Sequence, residues 1–96
     1  AIDDLTMNEE FSIGVSNYPN PFNPSTTFIV NIPDNQEASL QIFDIQGKLI
    51  EKMDFGTKTA GIYKQQWNAT NYPSGTYYYK LKTSNQVKSG KCLLIK

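Results

Sequence analysis

Asn17-Tyr18-Pro19-Asn20-Pro21-Phe22-Asn23-Pro24 packs three prolines into six positions. Each proline fixes its own φ, lacks an amide donor and pushes the residue before it out of the α region, so neither a helix nor an inner strand can run through here. Asn17, Asn20 and Asn23 offer short amides to nearby backbone, while Tyr18 and Phe22 offer two large apolar bodies to bury. A disordered linker rarely interleaves aromatics with prolines. The stretch reads as a rigid loop, extended at Tyr18, Asn20 and Asn23, pinned to a core by both aromatics and forming the entrance to a β domain.

Outward from the loop, period two dominates. Phe11-Ser12-Ile13-Gly14-Val15 predicts a short first strand with Phe11, Ile13 and Val15 inward, and Thr26 to Ile32 predicts a second with Phe28, Val30 and Ile32 inward. After the Pro33-Asp34-Asn35 turn, Ala38 to Ile45 is a third strand, with Leu40 and Ile42 on one face and Phe43 and Ile45 on the other. Asp44-Ile45-Gln46-Gly47-Lys48 is the sharpest hairpin signal, because Gly47 can take positive φ where two β runs meet. Leu49 to Phe55 returns, and Ile50 and Met53 can share a face only across a bulge. A polar turn is expected over Gly56 to Gly61. Ile62 to Trp67 follows, its inward face broken at Gln65, then Thr76 to Thr83 with Tyr77, Tyr79 and Leu81 inward, and Val87 to Lys96. Seven short strands without helical periodicity predict an all-β antiparallel two-sheet sandwich, with an open barrel as the alternative and Trp67 as core anchor.

At 96 residues the chain makes one domain with a core but no room for a large cleft. Formal charge is zero, with Asp3, Asp4, Glu9 and Glu10 gathered in an acidic opening segment, Ala1 to Glu10, that reads as a linker or tail. The lack of an initiator methionine makes the start read as the edge of a fragment. All nine cations are lysines, so the guanidinium fork that reads phosphate and guanine is missing and nucleic acid is not an expected partner. No apolar run approaches membrane-spanning length. Without histidine, the Ser-His-Asp and Cys-His arrangements and histidine metal ligation are excluded. The scattered carboxylates offer neither a glycosidase pair nor a calcium loop. The single cysteine, Cys92, stands beside Leu93, Leu94 and Ile95 and reads as a small buried hydrophobe. No catalytic, cofactor or metal residue is expected. Tyr78, facing away from Tyr77 and Tyr79, is a candidate sugar platform or interface residue, and Lys80, Lys82, Lys88 and Lys91 form a basic edge.

The proline loop through Ser25-Thr26-Thr27, Ile42-Phe43-Asp44-Ile45-Gln46-Gly47-Lys48, Ala60-Gly61 with Trp67-Asn68, Ser74-Gly75-Thr76-Tyr77-Tyr78-Tyr79-Lys80-Leu81 and Lys91-Cys92-Leu93-Leu94-Ile95-Lys96 together resemble the type A C-terminal sorting domain of the type IX secretion system. The order and spacing of five motifs carry the resemblance over residues 11–96. It implies an immunoglobulin-like seven-stranded sandwich, not an enzyme, found at the C-terminus of secreted Bacteroidetes proteins. It further implies recognition of the folded domain by the outer-membrane translocon, passage through the periplasm to the cell surface or exterior, and removal by a sortase that cuts before Phe11. Onto this chain the resemblance carries turn glycines at Gly47 and Gly75, the loop at Asn17 to Pro24, and the signal strand at Lys91 to Lys96. Cys92 departs from the family's usual aliphatic or lysine, and Gln65 interrupts the strand before Trp67. No cofactor, membrane insertion or oligomer is expected. A carbohydrate-binding accessory module of a secreted enzyme and a structural spacer are the competing functions.

Overall fold

The computed structural model describes residues 12–96. The strands are β1 (Gly14–Tyr18), β2 (Ser25–Ile32), β3 (Gln36–Phe43), β4 (Leu49–Lys58), β5 (Gly61–Asn68), β6 (Gly75–Thr83) and β7 (Val87–Leu94). They form two antiparallel sheets, ordered β1-β2-β5 and β4-β3-β6-β7, packed as a sandwich. The inner faces follow the sequence alternation: Thr26, Phe28, Val30 and Ile32 from β2 meet Ala38, Leu40 and Ile42 from β3 and Tyr77, Tyr79 and Leu81 from β6, all buried.

Several boundaries differ from the sequence reading, each for a reason of pairing. β1 begins at Gly14 because its register with β2 runs from Gly14 opposite Asn31 to Tyr18 opposite Thr27. Ile13 is buried just ahead of it. Phe11 and the acidic segment lie outside the described residues. With Val15 and Asn17 leaning inward, the pleat turns Tyr18 outward, and at 75 % exposure it does not pin the loop. β3 stops at Phe43, so Ile45 stands exposed at the hairpin tip instead of sharing a strand face. β4 runs straight through the expected polar turn to Lys58, leaving only Thr59 and Ala60 between it and β5.

Irregularity in β4 accounts for that misreading. Its register against β3 shifts twice, skipping Ile50 between Leu49 and Glu51 and Phe55 between Asp54 and Gly56. Two bulges let Ile50, Met53 and Phe55 all pack against the core, which a regular pleat would forbid.

At the β3–β4 hairpin, Asp44 Oδ1 accepts from the amides of Gln46 and Lys48, both at 2.9 Å, and Gly47 takes φ 84°. A Cβ there would touch nothing within 4 Å, so the demand for glycine is conformational. Gly47→Val should therefore destabilise by about 1 to 3 kcal/mol, and Gly47→Asn by clearly less, because asparagine tolerates the left-handed region. Urea unfolding of the two variants checks this; equal midpoints would refute it.

Candidate functional site

The proline loop and the closing segment, far apart in sequence, are brought side by side. Thr26 Oγ1 donates to the carbonyl of Pro19 at 2.9 Å and accepts from Asn17 Nδ2 at 3.1 Å, which ties the start of the loop to β2. The peptide bonds Tyr18-Pro19, Asn20-Pro21 and Asn23-Pro24 are cis. Asn20 then reaches the outer edge of β7: its Nδ2 donates to the Lys91 carbonyl at 3.3 Å and its Oδ1 accepts from the Leu93 amide at 3.0 Å. Two residues on, the Phe22 amide donates to the Leu93 carbonyl and the Phe22 carbonyl accepts from the Ile95 amide, each at 2.9 Å, making a short parallel bridge. One asparagine side chain and one phenylalanine backbone thus occupy the outer edge of the closing segment from the Lys91 carbonyl to the Ile95 amide.

A terminal strand in an antiparallel sheet ordinarily presents one free edge, yet from the Lys91 carbonyl to the Ile95 amide this edge is occupied by the loop. The end of the segment is fastened too: the Lys96 amide donates to Ser74 Oγ at 3.0 Å, and Lys96 Nζ to the Thr70 carbonyl. Side chains divide by parity, with Cys92 and Leu94 in the core and Lys91, Leu93 and Ile95 outward. Period two alone left that division open.

Behind the loop lies an aromatic cluster that unites three of the sequence motifs. Trp67, 3 % exposed, has the rings of Phe22, Tyr72 and Tyr77 each 5.7 Å from its own and Phe28 at 6.3 Å. Tyr77 Oη donates to the carbonyl of Pro73, four residues upstream, the tyrosine-corner arrangement of immunoglobulin-like sandwiches. Buried among rings, Trp67 Nε1 has no hydrogen-bond partner. Gln65 is half-buried on the same side of β5 as Trp67, where it is the polar position in that face, and its Nε2 donates to the Gln66 carbonyl at 3.1 Å, while the strand itself runs through it without interruption.

Burial pushes the Cys92 thiol up to about 11, which leaves it protonated and unreactive at neutral pH. Gly90, opposite Tyr79, was missed in the sequence: a Cβ there would stand 2.5 Å from the Tyr79 hydroxyl oxygen, so the phenol lies across a strand that must carry glycine. A lone glycine inside a strand is the signal that marks such a close approach. Among the described residues, no three acidic or cysteine side chains gather where they could hold a metal.

The sequence profile of the secretion system C-terminal sorting domain matches residues 16–96, spanning the loop, the hairpin glycine, the aromatic cluster and the closing segment. The chain belongs to this family, the sorting domains of the type IX system. Membership implies a secretion-signal role, an interaction with the secretion machinery and a destination at the cell surface or beyond. A crystal structure of dimeric latent PorU from Porphyromonas gingivalis is similar in fold, with a TM-score of 0.71 and 17 % identity. The match covers 86 % of this chain but 9 % of that one, so this chain spans under a tenth of that protein's length. No curated protein matches the chain.

Proposed function

We propose that this sorting domain is the address label of its parent protein. The outer-membrane translocon recognises the folded domain after it has reached the periplasm, with Lys91, Cys92, Leu93, Leu94, Ile95 and Lys96 as the signal strand. A sortase then removes it, cutting ahead of Phe11 in the acidic segment. The domain acts as a monomer, without cofactor, catalysis or membrane insertion. The observation that carries the reading is the family match over residues 16–96. Burial of Trp67 weighs against the carbohydrate-binding alternative, because it withdraws the largest aromatic from any sugar platform.

The test is a reporter carrying residues 1–96, compared in a type IX-competent host with one lacking Lys91 to Lys96 and one bearing a bulky extension after Lys96. Deletion also strips Cys92 and Leu94 from the core, so the extension is the discriminating arm. It should leave the melting temperature unchanged, because termini tolerate additions when the strand is already paired, and yet block export. Equal export of all three reporters defeats the proposal. Tight oligosaccharide binding by the isolated domain, with export unaffected by either change, would favour the accessory-module reading.

A further inference from the structure

With the backbone edge of Lys91 to Ile95 closed by Asn20 and Phe22, a partner that meets the folded domain there must read side chains instead. The sheet registers show which ones lie together. Leu49, Phe43, Tyr78 and Lys91 are successive cross-strand partners through β4, β3, β6 and β7, and so form one row on the outer face of the larger sheet. Lys52, Gln41, Lys80 and Ser89 form the next. Neither row contains a carboxylate; Asp44 in the adjoining hairpin has its Oδ1 engaged by the Gln46 and Lys48 amides, Glu51 accepts from the Tyr72 hydroxyl, and Asp54 and Glu37 come further along, toward the opposite end of the face.

Apolar exposure concentrates at the same end. Leu49 is 45 % exposed, Tyr78 42 % and Leu93 38 %, and the half-buried Phe43 has the Lys80 ammonium 5.5 Å from its ring centre. A groove of about 570 Å³ follows the Phe43–Tyr78–Lys91 row and takes in Gly47 and Ser89. An exposed apolar strip rimmed by one sign of charge is the composition of a docking surface, with an aromatic at its centre and charges that steer approach.

The geometry points to this groove as the docking surface for a protein of the secretion machinery whose matching surface is apolar at its centre and acidic at its rim. The inference rests on the sorting reading and deepens it. A sugar fits the observations less well, since the aliphatic Leu49 and Leu93 beside Tyr78 offer no plane for ring stacking. A second copy of the chain fits less well too, because a two-fold contact here would bring Lys80 and Lys91 against the same lysines.

The experiment is export of the reporter carrying residues 1–96 as parent, as Tyr78→Ser, as Lys80→Glu/Ser89→Glu and as Ile62→Ser, with melting temperatures taken throughout; the groove positions changed all lie outside the signal strand. Ile62 is 68 % exposed but belongs to the other sheet, so it controls for loss of surface hydrophobicity. Both groove variants should melt as the parent does and export about tenfold less, while Ile62→Ser exports normally. Should Tyr78→Ser perturb folding, the glutamate pair, cross-strand partners on the outer face of the sheet, decides the matter alone. Parental export by folded groove variants overturns the docking surface while leaving the sorting role intact; no export by the parent itself overturns both. An oligosaccharide that binds the parent but not Tyr78→Ser, or a solution dimer that Tyr78→Ser dissociates, assigns the groove to the other occupant and likewise overturns the proposal.

Discussion

Trp67→Ala should destabilise the domain by about 3 to 5 kcal/mol, the cost of removing a fully buried aromatic and leaving its cavity behind. Four rings surround the indole, so truncation removes the common neighbour of Phe22, Phe28, Tyr72 and Tyr77. Small domains have about 5 to 15 kcal/mol of stability in total, so the variant should be close to unfolding at physiological temperature. Trp67→Phe should cost less, in part because it also deletes a buried donor that has no acceptor. Denaturant titration followed by circular dichroism gives both values. An unchanged midpoint for Trp67→Ala would mean that the indole is at the surface, and would restore the sugar-platform reading.

Phe22→Ala carries the second large expectation, again about 3 to 5 kcal/mol. Phe22 is 2 % exposed and couples two jobs: its ring packs on Trp67, and its backbone closes the edge of β7. Without the ring, that edge is held by the Asn20 side chain and the two Phe22 backbone bonds alone. Amide exchange at Ile95, which donates to the Phe22 carbonyl, should therefore accelerate beyond what the drop in global stability explains. Because Phe22 and Trp67 touch, the double alanine variant should lose less than the sum of the two single losses. Full additivity together with unaltered exchange at Ile95 would show that ring and edge are independent.

What the sequence disclosed, and what it withheld, follows from the range of the interactions involved. β2 and β6 alternate cleanly because each has one core face and one outer face, and their inward residues are legible from period two. The Gly47 hairpin is legible because all its hydrogen bonds close within five residues, Asp44 to Lys48. β4 is not, since its bulges exist only relative to β3. The outward turn of Tyr18 depends on where pairing with β2 starts, which composition does not encode. The role of Asn20 is the furthest from view: its two partners on β7 lie 71 and 73 residues away, and nothing local distinguishes it from Asn17 or Asn23. In the closing apolar run, either parity would have suited Cys92 to Ile95, and the pairing of Tyr77 with Cys92 settles it.

The burial of Cys92 gives the domain a built-in recorder of its own history. A maleimide added to intact cells or to a purified fraction can alkylate this sulfur only in molecules that have opened, because the folded form both hides the thiol and keeps it protonated. Pulse labelling at successive stages of export would then report, without any engineered probe, whether the domain travels closed or is unfolded on the way. On a reporter whose cargo lacks cysteine, Cys92 is the one thiol in these 96 residues that can take the label.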